Sequence, residues 1–437
     1  MSQFPGRVEV ARLGPAEYPS PKAHAPLTSE GVSPFTPDDC YVRRNVELLA
    51  SAPADDGQLF PKAGARSRIF FDPAQTKAAI VTCGGLCPGL NNVIRSAFLE
   101  LRMNYGVPEV LGIREGYRGL NPAEGQPPLP LTLDLVEDIH EEGGTMLGSS
   151  RGPQDPVVMA DFLVANGINI LLCVGGDGTQ RGAHSLAVEI ARRSLKISVI
   201  GIPKTIDNDI EYCDRSFGFV TAVAEAQRVL SCAHVEAKGA PMGIGLVRVM
   251  GREAGFVAAA ATLASQEVNF CLIPESPFAL HGECGLLSAL RRRMLARRHA
   301  VILVAEGAGQ ELFEVAAGCT DASGNRKLQD IGPFLHQAII DYFDEHGPKV
   351  NVKYIDPSYI VRSVPAHCED DILCDQYARR AVHAAMAGFT DAMVGLMNGS
   401  FALVPLEMAT RKKRHVAIDG ELWNSVLSAT GQPRLLR

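Results

Sequence analysis

Three short segments, two of them rich in glycine, set carboxylates, a lysine and small side chains in an order that suits the handling of phosphate. They are Gly84-Gly85-Leu86-Cys87-Pro88-Gly89, Val174-Gly175-Gly176-Asp177-Gly178-Thr179 and Pro203-Lys204-Thr205-Ile206-Asp207-Asn208-Asp209. Glycines in a turn let backbone N–H groups face a concavity that a Cβ would fill. A helix that follows such a turn places its positive end at the same spot. The Gly84–Gly89 turn suits a purely structural role equally well. In the second segment, Asp177 is the right type of donor for a Mg²⁺ that bridges phosphate oxygens. Thr179 adds a hydroxyl, or instead caps the helix that follows. In the third, Asp207 and Asp209 lie two apart, so in an extended segment they point the same way. One can then take a hydroxyl proton while the other sits near a metal or orients a neighbour. Capping of the next helix is the alternative, and it leaves Lys204, well suited to a phosphate charge, without a reason.

Further along, Met250-Gly251-Arg252 ends an apolar run, and Arg252 is placed to stabilise charge on a transferring group. Glu306 follows the run Ile302–Ala305 and can accept hydrogen bonds from sugar hydroxyls. Tyr359 and Arg362, three apart, can grip a terminal phosphate through a forked, charge-assisted contact.

These residues need elements to hold them. From Lys77 onward, apolar runs of strand length alternate with helical patterns. Strands are expected at 78–83, 168–174, 197–202, 244–249, 269–273 and 301–305. Helices are expected at 180–193, 219–234, from 253, and near 283–298 and 331–345. That alternation implies parallel sheets covered on both faces, and its length implies two α/β domains. In open sheets of this kind ligands collect beyond the carboxyl ends of strands, where all these clusters fall. A long helical pattern at 370–388 is expected to cross back to the first domain. Prolines punctuate residues 1–75, which read as an extended arm with a short strand or two that wraps the body or a neighbouring subunit.

Composition bounds the rest. The 437 residues include 21% charged and 46% hydrophobic, with net charge −7, which disfavours a nucleic-acid or membrane partner. The basic runs 291–293 and 411–414 read as a solvated helix face and an exposed tail. Eleven scattered cysteines lack zinc-site spacing and fit a reducing compartment. With no signal-like N-terminus and no long apolar run, a cytoplasmic protein is expected.

The motifs Thr82-x-Gly-Gly-x-x-Pro-Gly-x-Asn91, Gly-Gly-Thr145-x-Leu-Gly-x-x-Arg151, Gly-Gly-Asp177-Gly-Thr179, Pro-Lys-Thr205-Ile-Asp207-Asn-Asp209, Met250-Gly-Arg252-x-x-Gly255 and Ala305-Glu306-Gly appear in order. Together, over about residues 77–400, they resemble the 6-phosphofructokinase family. Asp356-Pro-Ser-Tyr359-Ile-Val-Arg362 and the long arm resemble its plant and trypanosomatid ATP-dependent branch. The resemblance implies two doubly wound parallel-sheet domains: an extension at 1–76, a donor domain at 77–218, a sugar-phosphate domain at 219–364 and a returning segment at 365–437. It implies Asp207 as general base, with Arg252 and Lys204 also catalytic, and Asp177 as the Mg²⁺ ligand. Gly85, Arg151, Gly152, Gly176, Asp177, Gly178 and Thr179 would hold ATP. Thr205, Ile206, Asp207, Met250, Gly251, Arg252, Glu306, Tyr359 and Arg362 would hold fructose 6-phosphate. A homotetramer, or a dimer, and allosteric control come with it. Two positions depart from the well-studied bacterial enzymes: Leu86 stands where they have an acid, and Gly243 near where a neighbouring subunit supplies a basic residue.

The family uses ATP or pyrophosphate. Pyrophosphate enzymes typically have an aspartate where this chain has Gly178, and glycine leaves room for a nucleotide α-phosphate. Lys204 is shared with the pyrophosphate enzymes, so the pair is mixed, and the plant-like branch makes ATP the expected donor. The other readings are a pyrophosphate-dependent enzyme and a non-catalytic sugar-phosphate-binding subunit. NAD kinases and diacylglycerol kinases share Gly-Gly-Asp-Gly-Thr but are not expected to carry the Pro-Lys-Thr-Ile-Asp-Asn-Asp or Met-Gly-Arg motifs.

Overall fold

A computed structural model describes residues 6–24, 35–47, 57–313 and 327–436. Two compact units form: Met1–Thr205 with Ile210–Gly218 and Val364–Lys413, and Ile206–Asp209 with Phe219–Ser363 and Arg414–Arg437.

The first unit is built on a seven-stranded sheet. Its strands run in the order Ser400–Pro405, Ala392–Met397, Ser198–Pro203, Ile170–Gly175, Lys77–Thr82, Glu109–Ile113 and Leu129–Pro130. The five inner strands are parallel and the two edge strands antiparallel. Every residue of Ile170–Gly175 and Ser198–Pro203 is buried, which is why these strands read as unbroken apolar runs rather than alternating ones. Helices Leu90–Leu99 and Cys368–Met386 pack on each other, as do Pro156–Ala165 and Asp177–Arg192.

The segment before Lys77 is not a free arm where it is described; residues 1–5, 25–34 and 48–56 lie outside the described residues. Tyr41–Arg43 pairs with Leu59–Pro61, and Tyr18–Pro19 with Arg68–Ile69. Phe60 and Ile69 are fully buried. Lys62 bridges to Ala402 on the outermost strand, and the Ala63 N–H donates to the Phe401 carbonyl at 2.9 Å. Glu100, completely buried, takes Lys22 of this segment at 2.5 Å and Arg379 at 2.7 Å. Here prolines end short strands without preventing them.

The second unit has a four-stranded, all-parallel sheet ordered Phe270–Leu272, His299–Ala305, Gly243–Val249 and Asn351–Ile355. Alternate residues feed two cores. Val247, Val249, Val301, Leu303 and Ala305 join one, while Ile244, Leu246, Ala300, Ile302 and Val304 join the other.

The C-terminal part departs from the expected single return. Helix Cys368–Met386 belongs to the first unit, but the chain after Lys413 belongs to the second. Helix Glu421–Thr430 buries Trp423 and Val426 in the first of the two cores. Beyond it, Gln432 serves the edge strand: its amide oxygen takes the Cys271 N–H at 2.6 Å and its amide nitrogen donates to the Cys271 carbonyl at 3.2 Å. Among the described residues, no helix is long and apolar enough to cross a membrane.

Trp423, the only tryptophan, is expected to anchor this C-terminal return. Trp423→Ala should lower unfolding free energy by about 3–5 kcal/mol in urea titrations followed by circular dichroism. A loss below about 1 kcal/mol would mean the helix is not part of the core.

Candidate active site

The register Thr82↔Val174 and Gly175↔Pro203 brings the carboxyl ends of three adjacent strands level. The first turn needs left-handed backbone at Gly84 (φ +87°) and Gly89 (φ +96°). Gly84 donates its N–H to the Ser150 carbonyl at 3.0 Å, and its carbonyl accepts from Ser149 Oγ at 2.6 Å. Lys204 is buried against this turn, and its Nζ donates to the Gly85 carbonyl at 2.5 Å. Thr82 Oγ1 donates to the Gly148 carbonyl at 2.9 Å, and Asn91 accepts the Met146 N–H at 2.8 Å, so the Gly143–Arg151 loop is held beside the turn. Arg151 and Gly152 themselves are exposed.

Helix Asp177–Arg192 starts directly at the second strand end with Gly176 as N-cap, without a side-chain cap bond. Thr179 is therefore not the cap. It lies inside the helix, buried, and a Cβ on Gly175 would come within 2.1 Å of its hydroxyl. Gly178 is exposed, with nothing within 4 Å of where a Cβ would stand. Asp177 Oδ2 meets Arg181 at 2.5 Å, one helical turn on. Among the described residues there is no cluster of three or more His, Cys, Asp or Glu able to hold a metal. Mg²⁺ generally keeps waters and substrate phosphates and takes only one or two protein carboxylates. Asp177, a carboxylate beside a glycine turn, fits that habit. Cys83 and Cys173 lie buried behind the turn, their thiols pushed up by burial, Cys173 to about 12, which leaves them inert.

The second unit presents its own level set of strand ends. Glu306 N–H donates to the Val249 carbonyl at 2.9 Å, and Gly307 N–H to the Gly251 carbonyl at 3.1 Å, so the Arg252 and Glu306 turns are stitched together. A Cβ on Gly307 would stand 1.9 Å from the Arg252 carbonyl oxygen. Burial raises the Glu306 pKa, and the nearby Arg248, Arg252 and Arg362 only partly offset it. The Arg362 guanidinium lies 4.9 Å from the Tyr359 ring centroid, and Tyr359 is 75% exposed. Arg252, Glu253, Glu275, Gly307, Gln310 and His415 line a cleft of about 440 Å³.

Asp207 belongs to the four-residue segment Ile206–Asp209 of this unit. The extended geometry expected from its spacing does not form, because Asn208 between the two acids is left-handed (φ +53°). Asparagine tolerates that conformation better than most residues. Asp209 is buried while Asp207 is half-buried, and the next helix begins only at Phe219, so neither acid caps it. The basic run at 411–414 is not a plain exposed tail either. Lys413 bridges to Ile210, and the Arg414 N–H donates to the Asp209 carbonyl at 2.8 Å.

Four residues escaped the motif reading. Arg248 reaches Glu306 at 3.3 Å, Asp356 at 2.6 Å and the Tyr354 hydroxyl at 3.3 Å. A lone arginine inside the run 244–249 was the available signal. Gln180, fully buried, donates to the Gly175 carbonyl at 2.8 Å and the Ile202 carbonyl at 3.2 Å. Glu275 and Arg414 carried no spacing signal.

A sequence model described as phosphofructokinase matches residues 77–385. The chain belongs to the phosphofructokinase family. It is 46% identical over 421 residues to ATP-dependent 6-phosphofructokinase 7 of Arabidopsis thaliana, covering 96% of this chain and 86% of that protein. It is 48% identical over 381 residues to the ATP-dependent 6-phosphofructokinase of Borreliella burgdorferi, covering 86% and 85%. The Trypanosoma brucei brucei enzyme of the same name is 43% identical over 431 residues, covering 97% and 87%. Among solved structures, pyrophosphate-dependent phosphofructokinase from Marinobacter aquaeolei aligns with TM-score 0.67 at 19% identity, over 83% of this chain and 92% of that one. Pichia pastoris phosphofructokinase in the T-state aligns with TM-score 0.64 at 20% identity, over 81% of this chain and 37% of that one. At those identities the structural likeness speaks to the phosphofructokinase fold alone. The family match stops at residue 385, so Arg414 and His415 lie beyond it.

Proposed function

We propose that this phosphofructokinase is ATP-dependent and moves the γ-phosphoryl group of ATP to the 1-hydroxyl of fructose 6-phosphate, giving fructose 1,6-bisphosphate and ADP in glycolysis. The observation that carries the reading is high identity, over most of the chain, to relatives named as ATP-dependent 6-phosphofructokinases. Gly178 supports the donor assignment, since the space beside it is open.

In this reading the acceptor oxygen forms a bond to the γ-phosphorus as the bond to the β–γ bridging oxygen breaks. Asp207 takes the proton of the 1-hydroxyl. Arg252 and Lys204 balance charge on the transferring group. Gly85, Arg151, Gly152 and Gly176–Thr179 hold the ATP phosphates, with backbone amides of the glycine turns facing them. Asp177 would hold Mg²⁺, which when bound neutralises charge on the phosphate oxygens. Thr205, Ile206, Met250 and Gly251 line the sugar, Glu306 accepts from its hydroxyls, and Tyr359 and Arg362 bind the 6-phosphate. A cytoplasmic setting is part of the proposal, supported by ten free cysteines among the described residues.

Asp207→Asn keeps the shape but cannot take the proton. Its turnover should fall by roughly 10²- to 10⁴-fold in a coupled assay, with the KM for fructose 6-phosphate nearly unchanged. Equal loss of binding and turnover would assign Asp207 a structural role, and inert wild-type protein would favour a non-catalytic binding subunit.

Gly178→Asp should melt like wild type, given its open surroundings, yet lose ATP by crowding and like-charge repulsion at the α-phosphate. Pyrophosphate, which lacks the adenosine and third phosphate, should be hurt less. Wild-type enzyme that uses pyrophosphate and ignores ATP would reverse the donor assignment.

The family resemblance also supports a homotetramer. Light scattering on the full chain should give four times the 46.8 kDa of one chain; a mass of one chain would remove the oligomer from the proposal.

A further inference from the structure

We infer that Glu275 is a positioning residue that ties the Arg252 turn to the Asp207 turn through the C-terminal segment. The inference rests on the proposed function for the roles of those two turns.

Glu275 stands just past strand Phe270–Leu272. Its two carboxylate oxygens accept the Gly255 N–H at 3.0 and 3.1 Å, and Oε1 also accepts the Val416 N–H at 2.8 Å. Gly255 is the N-cap of helix Phe256–Ser265, which has no side-chain cap of its own. The carboxylate therefore supplies both the missing acceptor and the negative charge that a helix start favours. Gly255 also explains the last position of the Met250-Gly-Arg252-x-x-Gly255 motif. A Cβ there would come within 2.4 Å of the Ile273 side chain and 3.0 Å of Glu275 Oε2.

On its other side, Glu275 holds Val416, two residues past Arg414. Arg414 donates its N–H to the Asp209 carbonyl at 2.8 Å and its Nη1 to the Asn208 carbonyl at 3.5 Å. Its guanidinium lies 5.1 Å from the Phe256 ring centroid. Between them, His415 Nδ1 lies 3.0 Å from the Glu253 carbonyl oxygen. One carboxylate thus joins the turn that carries Arg252 to the strip of chain that supports Asn208 and Asp209, all within one compact unit. Glu275 lines the cleft, but backbone amides occupy both its oxygens, which makes its role one of positioning. Charge-assisted bonds of this kind are stronger than neutral ones, and small misplacements of a reacting set are costly to rate. The glycine turns assigned to ATP belong to the other unit and do not share this tie.

The test compares wild type, Glu275→Gln and Glu275→Ala, each with KM and kcat measured for fructose 6-phosphate and ATP separately, alongside melting temperature. Glutamine keeps one acceptor oxygen but sets an amide donor against the Gly255 N–H; alanine loses every bond. The KM for fructose 6-phosphate should rise about tenfold in the alanine variant and about threefold in the glutamine variant. The KM for ATP should stay within about twofold. A flat fructose 6-phosphate KM with a lowered melting temperature, or both KM values rising together, would overturn the inference. If the alanine variant does not fold, the glutamine variant decides by the same split. Wild-type protein inert toward fructose 6-phosphate would instead overturn the function reading and take this inference with it.

Discussion

A parallel sheet must bring its chain back to the same end for every strand, so all strand-to-helix turns gather along one edge. In each unit of this phosphofructokinase, the turns that carry candidate site residues follow such strand ends. The cost falls on the strand ends, where carbonyls lose ladder partners and still need hydrogen bonds if buried. Gln180 donates from one carboxamide to the carbonyls of Ile202 and of Gly175, the latter also taking the Lys204 N–H at 3.1 Å. Its amide oxygen sits where a Cβ on Gly201 would come within 1.9 Å. A mid-strand glycine, ordinarily a weak choice, is here the space that lets the next strand end be satisfied.

The second unit solves a different problem, that of keeping several arginines and acids in fixed relation. Arg248 is the pivot. Its guanidinium is held firmly charged by Asp356 and Tyr354 against the opposing effect of burial. Asp356, in turn, is pushed up by burial but brought down further by Ser358 and Arg248. The Ser358 hydroxyl and N–H fix its other oxygen at 2.5 and 3.0 Å. The turn that leads to Tyr359 and Arg362 is therefore tied to a strand residue whose partner Tyr354 packs against the second apolar core. Glu306, which shares Arg248, is placed by the same contact.

Much of this was legible in advance, for physical reasons. Glycine turns after apolar runs announce strand ends, and strands buried on both faces have a simple signature, as Ile170–Gly175 shows. Asn351–Ile355 was not legible because it is an edge strand with little burial and a mixed pattern. The hairpin of Ala392–Met397 and Ser400–Pro405 was hidden by the long helix before it, although Asn398-Gly399 at its turn is a usable signal. Within the candidate site, the residues named in advance were those on motif positions. Those acting through backbone amides, Glu275 and Arg414, left no trace in spacing, and the pairing of Asp207 with Asp209 misled because local alternation ignores a left-handed asparagine.

The Leu59–Pro61 strand and its neighbours lie along the outermost strand of the first unit, covering an edge that would otherwise be open to pairing with other chains. Their partners come very late in the chain: Asn398 donates to the Arg43 carbonyl across 355 positions. On a ribosome, the N-terminal segment emerges first and must wait for almost the whole chain before its place exists. Closing contacts so far apart is intrinsically slow. The edge strand and its cover thus meet only once the C-terminal part of the chain has been made.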